Sequence, residues 1–326
     1  MTHILTCLTD DFVVQASDRT VSASNGTLVE DQANKMILFE DQCVWSYTGL
    51  AQIGQYRTDE WLTKRLQRTR KLQVALDTVR TDATAAFRSM SLPVRDPQQR
   101  LVIKRTAFIC AGFALFPSPQ TGRVLYPYVA VVSNYYAGGG RWHPTALRAF
   151  DVHLHMLRPG YKFLLSEAPA RLSSRQRRSL VRDVRHALEH SVGPESIARI
   201  LCEQIQGIAA YNPTVGANVM CMVIPRDRRP ITGTYTFRSA PVPLHPGSSS
   251  IDRFRTSKDA IDQPRFIYVP GDNRELIAYG PVVVYDGSVM GGLLFGPTPL
   301  IEIETLRAPR ASPFPPYELR APAHQK

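Results

Sequence analysis

The sequence predicts an α+β sandwich in which two stacked, mainly antiparallel sheets carry helix layers outside. Three observations lead there. The first fifty residues read as short strands, two later blocks carry apolar residues at helical spacing, and the order along the chain is strands, two helices, strands, two helices, strand.

His3 to Leu8 and Phe12 to Ala16 flank the turn residues Asp10 and Asp11, so they predict a hairpin. After the polar stretch from Ser22 to Asp31, a second pair, Lys35 to Phe39 and Cys43 to Tyr47, surrounds Glu40, Asp41 and Gln42. From Gly49 the period changes. Ile53, Trp61, Leu62 and Leu66, then Leu72, Leu76 and Val79, predict two helices over about 50–70 and 72–91, ending before Pro93. Strands return at Thr106 to Leu115, Val124 to Ser133 and Val152 to Leu157. A second helical block runs from Ser173 to Ala210 with a break at Gly193 and Pro194, followed by an apolar strand from Ala217 to Ile224.

Beyond Pro225 the texture turns to arginine, proline and serine, with strand-like stretches at Thr234 to Phe237, Phe266 to Val269, Leu276 to Tyr285 and Leu300 to Ile303. The expected division is a main domain over 2–225, a β-rich extension over 226–308 and a flexible tail over 309–326.

Composition excludes several classes. The net charge is 39 − 28 = +11 and comes mostly from arginine, since there are seven lysines. These charges are scattered through helical stretches such as Arg171 to Arg185 without interleaved aromatics, which predicts a solvated face and no nucleic-acid partner. No apolar run approaches the ~20 residues that span a bilayer, so no membrane partner is expected. The N-terminus lacks the basic and apolar regions of a signal peptide, which predicts a cytoplasmic location. Cys7, Cys43, Cys110, Cys202 and Cys221 form no Cys-x-x-Cys pair and read as buried, reduced thiols.

The residues that point to chemistry lie near the start. A threonine hydroxyl is a weak nucleophile until a base takes its proton, and a threonine at the mature N-terminus can use its own α-amino group. Thr2 qualifies once Met1 is removed, which aminopeptidases do when the next side chain is small. The free amine has an ordinary pKa of about 7.7–8.0, so a nearby cation that lowers it slightly leaves it basic near pH 7. Asp18, closing the second strand, and Lys35, opening the third, are placed for strand pairing to bring both beside Thr2. Gly49, at the turn after the next strand, can offer a backbone N–H to an oxyanion.

In this order the chain resembles the proteasome β-subunit family and its bacterial threonine-peptidase relative. The resemblance rests on Thr2-His3-Ile4-Leu5, Val13-Val14-Gln15-Ala16-Ser17-Asp18, Lys35 and Tyr47-Thr48-Gly49-Leu50-Ala51, dense over residues 2 to about 65. It implies a four-layer αββα sandwich and hydrolysis of amide, chiefly peptide, bonds through an acyl-enzyme on Thr2. It also implies catalytic roles for Thr2, Asp18, Lys35 and Gly49, a substrate-aligning backbone at Ser22, no cofactor, assembly into homo-oligomeric rings, a peptide or protein substrate and a possible ATPase partner. Where the family has a supporting aspartate and serine after the second helical block, this chain has Asn212 and Thr214. A further supporting serine has only Ser166 as its counterpart. A catalytically silent, ring-forming subunit of the same fold is the first alternative, and a zinc peptidase using His186-Ala-Leu-Glu189-His190 is the next.

Two other groups invite a metal reading. His186-Ala-Leu-Glu189-His190 matches the H-x-x-E-H pattern of zinc peptidases, but in an arginine-rich polar face. His153 and His155 share one face of a strand and read as a structural pair. No metal is expected.

Overall fold

The computed structural model describes residues 2–22, 28–30, 33–40, 42–118, 122–169, 172–190 and 193–226, together with strand backbone at 234–237, 267–270, 276–279, 282–285 and 288–291. The fold is α+β, with five helices among the described residues.

β1 (Ile4–Leu8) and β2 (Phe12–Asp18) form the expected hairpin, with Ile4 opposite Ser17 and Leu8 opposite Val13. Thr9 closes it by side chain and backbone, its hydroxyl donating to the Phe12 carbonyl at 2.7 Å and accepting from the Phe12 amide at 3.0 Å. β3 (Val21–Ser22) pairs with β4 (Leu28–Glu30), and β5 (Met36–Phe39) with β6 (Cys43–Thr48).

The expected helix over 50–70 is corrected at its start. Gln52–Ile53 (β7) and Tyr56–Arg57 (β8) make a short hairpin around Gly54, whose φ of 63° suits the turn, and α1 covers only Thr58–Leu66. Asp59 and Glu60 in its first turn and Lys64 and Arg65 in its last complement the helix dipole. α2 (Leu72–Ser89) follows, then α3 (Pro97–Ile103), a helix absent from the sequence expectations because it buries no residue and so carries no apolar periodicity.

β9 (Ala107–Ser118), β10 (Gly122–Ser133) and β11 (Asp151–Met156) come next, then β12 (Leu164–Ala168), a strand the sequence reading did not single out. α4 (Ser174–Glu189) begins with a capping box between Ser173 and Gln176, and α5 (Pro194–Ala209) starts on proline, which needs no amide donor there. β13 (Val219–Pro225) ends the run.

Past it lie β14 (Thr234–Phe237), β15 (Ile267–Pro270), β16 (Leu276–Tyr279), β17 (Val282–Tyr285) and β18 (Ser288–Gly291). The strand expected at 300–303 and the tail over 309–326 lie outside the described residues.

One sheet has the order β12-β1-β2-β13-β14 and the other β11-β10-β9-β6-β5-β17-β18. Pairing within both is antiparallel except between β17 and β5, which run parallel with Val282 opposite Ile37. Three apolar clusters account for the strand sequences. Ile4, Leu8, Val13, Met220 and Met222 of the first sheet meet Met36, Val44, Ile109 and Val129 of the second. Trp45, Phe108 and Tyr128 pack with Trp61, Leu76, Val79 and Phe87 of α1 and α2. Leu5, Val14 and Cys221 pack with Leu180, Val184, Ile197 and Leu201 of α4 and α5. Both faces of the central strands are therefore covered, which explains continuous apolar runs such as β13.

Gly112 sits opposite Cys43 in the β6–β9 pair, where a Cβ would lie 2.2 Å from the Gln42 carbonyl oxygen and 2.7 Å from Cys43 Cβ. Backbone cannot yield there cheaply, so Gly112→Ala is expected to cost about 3 kcal/mol of stability. Urea unfolding checks this. A change below about 0.5 kcal/mol would show that the strands separate freely.

Candidate active site

Thr2 lies two residues before β1 and is buried with 4% exposure. Its carbonyl accepts a hydrogen bond from the Thr48 hydroxyl at 2.8 Å, which ties the start of the chain to the end of β6 in the other sheet. Lys35, just before β5, is 2% exposed and donates its Nζ to Thr2 Oγ1 at 2.5 Å. The same ammonium reaches Asp18 Oδ2 at 3.3 Å and the Thr20 carbonyl. An ammonium has three protons, and these three acceptors match them.

Asp18 is fully buried at the end of β2. Its Oδ1 accepts from the His3 amide at 2.6 Å, and its Oδ2 accepts from the Thr20 amide at 3.1 Å and the Gly216 amide at 3.2 Å. A buried charge is tolerable when paired and hydrogen-bonded, and this carboxylate has an ammonium and three backbone donors. Thr2, Asp18 and Lys35 thus lie together, although 17 and 33 positions separate Lys35 from its two partners.

Gly49 follows Thr48 with φ 115°, and a Cβ there would lie 2.2 Å from the Arg105 carbonyl oxygen, so only glycine fits. It adjoins the residue that holds the Thr2 carbonyl. The turn leads into the β7–β8 hairpin and not directly into helix, and Thr58 at the start of α1 bonds back to it, its amide donating to the Ala51 carbonyl at 3.0 Å and its hydroxyl to the Leu50 carbonyl at 2.6 Å. Ser22 lies on β3 opposite Leu28, and its buried hydroxyl oxygen has no hydrogen-bond partner among the described residues.

In the loop before β13, Asn212 Oδ1 accepts from the Thr214 amide at 3.1 Å and the Thr214 hydroxyl at 2.8 Å. The group this loop delivers to Asp18 is the Gly216 amide, a residue the sequence reading passed over. Thr20 was missed for a plain reason: its contributions are a carbonyl and an amide that any residue possesses. Ser166 stands opposite Thr6 in the β1–β12 pair, further along the strand than the Thr2 end.

The other candidates are accounted for separately. All five cysteines are free and buried, and burial pushes the Cys7 thiol on β1 up to about 12, leaving it protonated. His155 Nε2 pairs with the Tyr136 hydroxyl at 2.9 Å, while the His153 ring packs edge-on against Tyr136 at 5.1 Å. Burial, and then the neighbouring His153, lower the His155 pKa. The His186 and His190 rings, at the C-terminal end of α4, lie tilted at 50° with centroids 4.1 Å apart, and His190 Nδ1 lies 2.8 Å from the His186 carbonyl oxygen. Among the described residues no group of three or more His, Cys, Asp or Glu side chains is arranged to hold a metal ion. No described helix is long and apolar enough to cross a membrane.

No protein-family model matches the chain, and no curated protein matches it. Among solved structures it is similar to a Gly-1 mutant of Anbu from Hyphomicrobium sp. strain MC1, at 11% identity and a TM-score of 0.43 over 73% of this chain and 88% of that one. A likeness at that level carries no argument about activity.

Proposed function

We propose that the chain is an N-terminal threonine hydrolase of the proteasome-like class, cleaving amide bonds in peptides or proteins, with a four-layer αββα domain over 2–225 and a β-rich extension over 226–308. The observation that carries the reading is the buried Lys35 ammonium, 2.5 Å from Thr2 Oγ1 and paired with Asp18.

After removal of Met1, the Thr2 amine is the base. It takes the hydroxyl proton as Oγ1 attacks the carbonyl carbon, and the Gly49 amide faces the oxyanion. The amine returns the proton to the leaving nitrogen, which leaves an ester on Oγ1 that water hydrolyses. Lys35 does not act as the base, because its protons are already directed to three acceptors. Its charge instead favours the neutral amine and the developing alkoxide. Ser22 aligns the substrate, and the subunits assemble as rings, with an ATPase as a possible partner.

One observation favours the silent-subunit reading. Asn212 and Thr214, at the positions where the resemblance calls for an acid and a serine, are bonded to each other.

The test is N-terminal sequencing with a peptide-reporter assay. The protein is expected to begin at Thr2, and Thr2→Ala to abolish turnover with little change in unfolding midpoint, while His186→Ala and a chelator leave turnover intact. Retained Met1 in assembled protein would sink the catalytic reading, and chelator-sensitive turnover surviving Thr2→Ala would move it to metal chemistry.

A further inference from the structure

Asp18 is fastened from three parts of the chain: the His3 amide before β1, the Thr20 amide after β2, and the Gly216 amide from the loop that joins α5 to β13. That loop is itself held. Asn212 bonds Thr214, the Val215 amide donates to the Asn212 carbonyl at 3.0 Å, and Gln206 Nε2 on α5 donates to the Ala217 carbonyl at 3.1 Å. The Asn218 carbonyl then accepts from the Arg19 amide at 2.9 Å, beside Asp18. The loop therefore arrives at the carboxylate as a pre-formed unit.

Its approach depends on the missing side chain of Gly216. A Cβ there would lie 1.7 Å from Thr20 Oγ1 and 2.6 Å from Thr20 Cβ. Gly216 is not among the glycines with positive φ, so the position requires glycine for space and not for its backbone angle. Thr20 is the residue that would have to move. It supplies both an amide to Asp18 and the carbonyl that accepts from Lys35 Nζ, so its displacement would shift both partners of the ion pair.

We propose that Gly216 is a positioning residue: its lack of a side chain lets the loop amide and Thr20 clamp Asp18, and through Asp18 and the Thr20 carbonyl sets the Lys35 ammonium against Thr2 Oγ1. This rests on the reading of Thr2 as nucleophile. A displacement of about 1 Å in a catalytic group can cost on the order of 10²-fold in rate. Shifting the ammonium away from the amine also raises the pH at which that amine becomes a base.

The experiment follows the rate at which a peptidyl epoxyketone modifies the full-length protein, by intact mass across pH. This reagent adds to the hydroxyl at its ketone and to the adjacent free amine at its epoxide, with no leaving group, so the adduct carries the whole reagent mass. Gly216→Ala is expected to slow labelling of Thr2 about tenfold or more and to move the acidic limb to higher pH. Gly216→Ala in a Thr20→Gly background, which removes both atoms that the new methyl would strike, is expected to label within about threefold of Thr20→Gly alone. If Gly216→Ala alone does not fold, a folded double variant labelling at the Thr20→Gly rate gives the same support.

Wild-type rate and profile in Gly216→Ala would overturn the proposal while leaving the Thr2 reading intact. A double variant that folds but labels tenfold more slowly than Thr20→Gly would also overturn it. A wild type without a Thr2 adduct removes the nucleophile reading, and the Gly216 proposal with it.

Discussion

Asp18→Ala is expected to destabilise the protein by about 3–5 kcal/mol, the scale seen when one partner of a buried ion pair is removed. Two losses combine. Lys35, 2% exposed, loses its carboxylate partner, while the Thr2 hydroxyl and the Thr20 carbonyl beside it are neutral acceptors. The buried amides of His3, Thr20 and Gly216 lose their common acceptor. Asp18→Asn should also be severe, because its NH2 group would face either the His3 amide or the donors gathered at Oδ2. The two sites should couple: Asp18→Ala with Lys35→Met should be less destabilised than the sum of the singles, since the double variant buries no charge. Urea denaturation of the four proteins measures this. Additive losses would show that the ion pair is not the unit that matters.

Replacing Lys35 is expected to have the largest effect on rate. Lys35→Met preserves much of the volume but removes the charge beside Thr2 Oγ1, and turnover should fall by roughly 10² or more. The sign of the pH effect follows from the charge. With the cation gone the Thr2 amine holds its proton to higher pH, so the acidic limb of the pH–rate profile should move upward from its wild-type position. Lys35→Arg should fail as well, because a planar guanidinium cannot serve three acceptors arranged around a compact ammonium. Stability alone does not separate enzyme from silent scaffold here, since the pair is buried in either case. The profile does, and an unchanged acidic limb in Lys35→Met would reject the tuning role even if Thr2 were still the nucleophile.

Much of this neighbourhood was legible because strand geometry is local. Once Ile4 to Leu8 and Phe12 to Asp18 form a hairpin, Asp18 must return to the level of His3, and the next hairpin brings Lys35 to the same end. Period-2 and period-3.6 patterns likewise gave α2, α4, α5 and the long strands within a few residues, because each buries an apolar face. Gly49 shows where such reasoning stops. A change of period marks helix approaching, but it does not reveal that Gln52 to Arg57 form a hairpin first.

The remaining gaps have the same origin. α3 buries nothing, so no pattern marked it. The parallel pairing of β17 with β5 joins segments far apart in sequence, with no local signal for the partner. Gly216 is one glycine in a loop whose Asn212 and Thr214 draw attention by their polar side chains. Its importance rests on the absence of an atom, visible only once Thr20 stands beside it.

The central claim is that the Thr2 hydroxyl, set against Lys35 and beside an amine freed by removal of Met1, is a nucleophile. Intact-mass and peptide-mapping analysis after epoxyketone treatment tests it most directly. The account predicts a single adduct of full reagent mass on a peptide beginning at Thr2, lost in Thr2→Ala. An unmodified protein, or an adduct that persists in Thr2→Ala, would contradict it.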